Sequence, residues 1–289
     1  MQLIRNQAGA RVIDLSRRAE KRNKTMSGQD NKGTAVVTGA SAGIGAVYAD
    51  RLAGQGYDLV LVARRADRLE ELAEKLRYAY KRKVSVISAD LADDNDVRRV
   101  EQAIAADDSV TLLVNNAGIG GQQVVATADA DEAERMIKVN VIALTRLTRA
   151  VLPGLLARNR GAIVNIASVL AYDTSFGGIY SGTKAYVVNF TEALHREVAG
   201  TNVKVQAVLP GATRTDFWEL AGGDIDNLPK EIIMSADDMV DAALVGLSRG
   251  EAVTVPALAD TAKLDTFLGA RQVFYGSLHA DKPAARYAA

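Results

Sequence analysis

From Thr34 onward, short runs of β-branched and other apolar residues alternate with longer stretches whose apolar positions recur at helical spacing. Thr34–Thr38, Asp58–Ala63, Val84–Ser88, Thr111–Asn115, Ala162–Ala167, Val203–Leu209 and Ala252–Val255 read as strands. Helical patterns fill 43–55, 66–81, 93–105, 129–158, 178–199 and 236–249 between them. The strand runs show little polar alternation, which is the pattern of strands buried on both faces, as in a parallel sheet. Strand and helix alternate without a linker, repeat or low-complexity tract over 34–256. This predicts an α/β fold with a doubly wound, mostly parallel sheet of about seven strands. We take 33–289 as a single domain, with 257–289 as a C-terminal segment.

Composition narrows the chemistry. The chain of 289 residues has no cysteine and two histidines, His195 and His279. Disulfides, thiol nucleophiles, thiolate metal sites and three-histidine sites are excluded, and no metal is expected. Thirty-five basic residues balance thirty-five acidic ones, so no overall field favours nucleic acid or an anionic membrane. No apolar run reaches the ~18–20 residues of a membrane span. A soluble, cytoplasmic protein is the expectation. The balance is uneven, because residues 1–32 carry eight Lys/Arg and three acids. They form a basic leader with no apolar segment, which reads as a disordered tail, and Met26 offers a second start just before the first strand.

Directly after the first strand stands Thr38-Gly39-Ala40-Ser41-Ala42-Gly43-Ile44-Gly45, opening a helix. Glycines there permit a tight turn and close approach of backbone to a pyrophosphate, which meets the N–H groups at the helix start. A glycine-rich turn alone is weak evidence; strand before and helix after make it specific. This TGxxxGxG spacing resembles the short-chain dehydrogenase/reductase family, and further segments fall in that family's order over about 34–256. They are Asn115-Asn116-Ala117-Gly118, Asn140, Ser168, Tyr180-Ser181-Gly182-Thr183-Lys184 and Pro210-Gly211-Ala212-Thr213-Arg214-Thr215.

The resemblance implies a Rossmann-type sheet, a nicotinamide cofactor and the catalytic set Asn140, Ser168, Tyr180 and Lys184. It implies cofactor contacts at Gly39, Ser41, Gly43, Ile44, Gly45, Asp90, Leu91, Asn116, Ala117, Gly118, Tyr180, Lys184, Pro210, Gly211 and Thr215, with Asp90 accepting from the adenine amine. The residues themselves speak to cofactor choice. An acid at the end of the second strand would hold the 2′-hydroxyl of NAD, but Ala63-Arg64-Arg65 stands there, and the first acid is Asp67. Two guanidiniums suit a 2′-phosphate, so Arg64 and Arg65 point to NADP(H).

Tyr180 and Lys184 are four apart and share a helix face. The Lys184 ammonium, together with the positive charge of an oxidised nicotinamide, should favour the phenolate and lower the tyrosine pKa from ~10. Ser168 would hydrogen-bond the substrate oxygen, or simply cap a turn. Asn140 would hold a water that passes protons to Lys184, or be a locally satisfied buried amide. The implied reaction is hydride transfer between the cofactor and a carbonyl or secondary alcohol, with Tyr180 as general acid/base. A non-catalytic NADP-binding regulator or redox sensor, an NAD-dependent alcohol dehydrogenase and a sugar-nucleotide epimerase are the alternatives. His195 is a packing or surface histidine. The stretch 216–235 reads as a substrate lid. With Leu170, Tyr172 and Phe176, its Phe217 and Trp218 could wall an apolar pocket for a small-molecule carbonyl or alcohol substrate. The long helices at 129–158 and 178–199 imply, by resemblance, a homodimer or homotetramer.

Overall fold

A computed structural model describes residues 31–121, 124–175 and 178–287, so nearly all of the leader expected at 1–32 lies outside the described residues. The strands are β1 (Thr34–Thr38), β2 (Asp58–Ala63), β3 (Val84–Ser88), β4 (Val110–Asn115), β5 (Gly161–Ile166), β6 (Val203–Val208), β7 (Thr213–Arg214), β8 (Met234–Ser235) and β9 (Val253–Thr254). Seven of them form one sheet in the order β3-β2-β1-β4-β5-β6-β9. All its pairs are parallel, in registers such as Val36↔Val60, Val36↔Leu113 and Val164↔Gln206. The order reverses between β1 and β4, which places a crevice beyond their carboxyl ends, where open α/β sheets bind ligands.

The unbroken apolar strands have a direct physical cause. Successive side chains on a strand point to opposite faces. Val37, Leu61 and Leu112 join a core cluster with Leu52, Leu69 and Met239. Their neighbours Val36, Val62 and Leu113 join a second cluster with Val97, Leu147 and Leu194. Helices α1 (Gly43–Gly54), α2 (Ala66–Tyr80) and α8 (Ala236–Arg249) supply the first layer; α3 (Asp94–Ala105), α5 (Leu144–Ala157) and α6 (Gly178–Glu197) supply the second. Both faces are therefore covered, and polar alternation has no place on the central strands.

One buried charge ties the first layer together. Arg51 of α1 is 5% exposed and meets Asp50 at 2.7 Å, Asp237 at 2.5 Å and Asp241 at 2.6 Å, the last two on α8. Asp50 also accepts from the Tyr80 hydroxyl at 2.6 Å.

One expectation needs correction. The continuous helix expected over 129–158 is interrupted: α4 (Ala130–Ile137) passes into a π turn, Lys138–Ala143, before α5. Such turns are insertions inside α-helices and gather at functional sites, and Asn140 lies on this one. The stretch Ala130–Ala157 also contains an apolar window long enough to cross a membrane by length and composition. Its Leu144, Leu147, Val151 and Leu155 are buried within the protein, as befits a core helix.

The segment 216–235, expected to form a substrate lid, has short elements of its own. It holds α7 (Phe217–Leu220) and turns at Ile225–Asn227 and Lys230–Ile232, and β7 pairs with β8 at its base, Thr213↔Met234 and Arg214↔Ser235. Two compact units divide between Pro256 and Ala257. The second contains α9 (Thr261–Gly276), capped by Asp260, whose carboxylate accepts from the Ala262 N–H.

Candidate active site and cofactor cradle

The glycine loop needs its glycines for two separate reasons. Gly39 and Gly43 have φ of +64° and +53°, a region that L side chains rarely adopt. Gly45 needs space, because a Cβ there would lie 2.3 Å from the Gly39 carbonyl oxygen and 2.5 Å from Asn116 Nδ2. The loop is thus packed against the turn after β4. Asn116 donates from Nδ2 to the Thr38 and Gly39 carbonyls at 3.0 and 3.2 Å. Thr38 Oγ1 accepts from the Asn116 and Ala117 N–H groups, each at 3.0 Å.

Helix α1 begins with no capping side chain and no acid in its first turn. Helices α3, α4 and α8 are each capped by an Asp or Ser side chain and carry acids in that turn. Free N–H groups and an unneutralised positive helix end make an anion cradle. Beside it, Arg65 donates from Nη2 to Ser41 Oγ at 3.1 Å. Arg64, one residue earlier, is exposed. The residues present therefore fit a dinucleotide phosphate with an additional phosphate at the end of β2.

Asp90, at the end of β3, is already engaged. Its carboxylate takes two hydrogen bonds from Arg135 Nη2, at 3.0 and 2.7 Å, and one from the Ala92 N–H at 3.0 Å. Burial alone would raise its pKa; the Arg135 and Ala92 hydrogen bonds and the charges of Arg135 and Arg64 outweigh that and hold it below the usual range. A carboxylate has about four acceptor positions, so the adenine contact expected of Asp90 is not free but shared with Arg135. Leu91, also expected to contact the cofactor, is buried in the cluster that includes Val62 and Val97.

At the carboxyl end of β5, Ser168 takes the second of the two roles expected of it, the cap. Its hydroxyl accepts from the Leu170 N–H at 3.2 Å, capping the turn Val169–Ala171, and it lies near enough to the Tyr180 hydroxyl to lower that group's pKa. Lys184 lies one turn beyond Tyr180 on α6, its Nζ donating to the Ile166 carbonyl at 2.9 Å and standing 5.6 Å from the Tyr180 ring centre. Burial pushes the Lys184 pKa down to about 8. In this structure burial raises the Tyr180 pKa to about 12, against a smaller lowering by Ser168. Desolvation of the phenolate decides the direction.

Asn140 reaches the same place from the π turn. Its Oδ1 accepts from the Ile119 N–H at 2.9 Å, and its Nδ2 donates to the Ile119 carbonyl at 2.9 Å and to Thr183 Oγ1 at 3.1 Å. Both amide hydrogens are used, so only Oδ1 retains capacity for a water. A Cβ on Gly118 would lie 3.4 Å from both Asn140 Oδ1 and Lys184 Nζ, so the two converge there. Thr215 packs on the glycine loop; a Cβ on Gly43 would lie 3.0 Å from its side chain. Pro210 is buried, and its carbonyl accepts from the Val169 N–H at 3.0 Å; Gly211, Ile44, Ala117 and Gly118 are partly exposed along the same crevice edge.

Phe217 stands over this centre, its ring 6.0 Å from that of Tyr180 and 6.5 Å from that of Trp218. Tyr172 is exposed, Leu170 half-buried, and Phe176 lies outside the described residues. His195 Nδ1 lies 3.0 Å from the Val205 carbonyl of β6, a packing contact as expected. Among the described residues no cluster of three His, Asp or Glu could hold a metal. Sequence reasoning missed Thr38, Thr183 and Arg135 as supports. The first two lie inside motifs it had quoted, whereas nothing local marks Arg135, which reaches Asp90 across forty-five positions.

The sequence model of the short chain dehydrogenase family matches residues 33–224. An NADP-dependent 3-hydroxy acid dehydrogenase of Schizosaccharomyces pombe is 34% identical over 245 residues, covering 82% of this chain and 93% of that protein. A short-chain dehydrogenase from Sphingobium yanoikuyae, solved in complex with NADPH, superposes with a TM-score of 0.85 at 43% identity, covering 88% of this chain and 100% of that one. A bulky-bulky ketone specific alcohol dehydrogenase from Comamonas testosteroni gives 0.83 at 38% identity, covering 90% and 100%. With its glycine loop, Ser168, Tyr180 and Lys184 gathered at one sheet edge, this chain belongs to the short-chain dehydrogenase/reductase family.

Proposed function

We propose that this protein is an NADP(H)-dependent oxidoreductase that interconverts a ketone or aldehyde and its alcohol, with Tyr180 as general acid/base. The observation that carries this is the Tyr180 hydroxyl beside Ser168 at the end of β5, one helical turn from a buried Lys184. When bound, the nicotinamide supplies or accepts the hydride. The chain supplies the rest. The glycine loop and the start of α1 take the pyrophosphate, and Arg64 and Arg65 the 2′-phosphate, consistent with the NADPH bound to the Sphingobium relative. Ser168 donates a hydrogen bond to the carbonyl oxygen as it gains negative charge. Tyr180, protonated at neutral pH by its raised pKa, gives its proton to that oxygen; in the reverse direction it takes the proton back.

Lys184 has one ammonium hydrogen on the Ile166 carbonyl and two others for ribose hydroxyls. Asn140 fixes the Ile119 backbone and keeps an acceptor for a water on the path to Lys184. For substrate class, Phe217 beside Tyr180, with Trp218 against Phe217, suits an uncharged, apolar ketone, in keeping with the bulky ketones named for the Comamonas relative. Self-association through α5 and α6 is part of the reading; Ile142, in the π turn that leads into α5, and Tyr186 on α6 are exposed.

A panel of ketones, aldehydes and alcohols followed at the NADPH absorbance, with NADPH and NADH in parallel, tests the proposal. Turnover with NADPH in preference to NADH is expected. Tight NADPH binding without turnover of any carbonyl would favour the binding-only regulator.

A further inference from the structure

Gly120 is a glycine whose backbone does not ask for one. It is absent from the residues with positive φ. What asks is a side chain: a Cβ on Gly120 would lie 2.2 Å from Phe217 Cζ and 3.0 Å from both Cε atoms. The tip of the ring is therefore set into the main chain at Gly120, with no room for a methyl group between them.

Neither side of this contact can easily give way. The residue before Gly120 is pinned through both its main-chain groups by Asn140, at 2.9 Å each. Phe217 is held from two directions. Its N–H points to Thr215 Oγ1 at 3.4 Å, and Thr215 packs on Gly43 of the cofactor cradle. Next to it, Trp218 Nε1 donates to the Thr213 carbonyl at 3.0 Å in the β7–β8 base. The ring so placed is 6.0 Å from that of Tyr180, tilted by 49°.

We infer that Phe217 is a specificity-determining residue and that Gly120 is its seat. Seated, the ring walls one side of the space beside the Tyr180 hydroxyl and refuses a branched, bulky substituent on that side of the carbonyl. Unseated, it admits one. The inference rests on the proposed carbonyl reduction and deepens it by naming what sets the size limit.

The test compares kcat/KM for a methyl aryl ketone and a tert-butyl aryl ketone in wild type, Gly120→Ala, Phe217→Ala, Phe217→Tyr and Gly120→Ala/Phe217→Ala. Phe217→Tyr puts an oxygen on the atom that faces Gly120, so it should unseat the ring without altering the seat. Each single variant is expected to shift the ratio toward the bulkier ketone by about tenfold or more, the scale at which an apolar pocket discriminates substituents. NADPH affinity should stay within about twofold, because substrate discrimination and cofactor binding are separate terms. In the Phe217→Ala background, Gly120→Ala should add little, since its target is gone. An unchanged ratio in Phe217→Ala overturns the inference. So does a shift confined to Phe217→Ala, with Gly120→Ala and Phe217→Tyr like wild type, or a fully additive double variant. If Gly120→Ala does not fold, the two Phe217 variants decide the matter. A wild type that binds NADPH but reduces no ketone would instead reject the proposed reaction, which separates the two failures.

Discussion

Tyr180 and Lys184 are two ionisable groups moved in opposite directions by the same cause. Burial disfavours the charged form of each, so the phenol rises to about 12 and the ammonium falls to about 8. For the proposed reduction this is a workable pairing, since Tyr180 would enter the reaction with its proton while Lys184 is still largely charged at neutral pH. Tyr180→Phe should lower kcat by about 10²–10⁴-fold, the range for a positioned acid, and leave NADPH binding near normal by fluorescence titration. Retained turnover would contradict the assignment. Lys184 carries a stability prediction as well. Its folded pKa lies below its unfolded value of ~10.4, so above about 8 the unfolded chain binds more protons and stability rises with pH. Below about 8 the buried charge costs the fold on the order of 3 kcal/mol. Lys184→Met should therefore abolish activity yet raise thermal stability at pH 7, with the gain shrinking toward pH 10. A constant difference across that range would show that packing, not charge, is responsible.

At the scale of elements, the work of α1 is divided along its length. Its uncapped start faces the crevice, and about two turns on Arg51 binds it to α8, the helix that follows the segment 216–235. Removing one partner of a buried ion cluster leaves an uncompensated charge, here Asp50 at 2% exposure. Arg51→Ala should cost about 3–5 kcal/mol in denaturant unfolding; a loss below about 1 kcal/mol, the level of a surface pair, would refute the buried-cluster reading. The end of β2 carries a second prediction. Arg64→Ala with Arg65→Ala should weaken NADPH far more than NADH, because only the former has the phosphate, and equal effects on both would reject the assignment. Such features differ in how plainly the chain announces them. The glycine loop and the arginine pair are contiguous, so spacing exposed them. Arg51 meets its α8 partners across about 190 positions, and the π turn under Asn140 has no local signature that periodicity could reveal.

For the whole molecule, the crevice at the β1/β4 reversal brings together groups from β1, β4, the π turn, β5, α6 and the segment after β6. A ligand gripping this many elements should stabilise them all. NADPH at about a hundredfold over its Kd should add about 2.7 kcal/mol to unfolding, and NADH at the same concentration should add less. Equal shifts in melting temperature would again count against a phosphate site.

The sequence by itself determined the α/β class, the order of strands and helices and the cofactor loop, and through its family resemblance it pointed to the candidate tyrosine, lysine and serine. The first three rest on local physics: unbroken apolar strand runs, helical patterning and turn geometry that only glycine satisfies. Tertiary structure alone decided the rest. It set the direction of the Tyr180 pKa, because desolvation depends on what surrounds the hydroxyl rather than on which residue stands four positions away. It gave Asp90 a partner in Arg135, and it seated Phe217 on Gly120. Those are contacts between groups far apart in the chain, fixed by how the layers pack and by which polar groups the packing leaves without water.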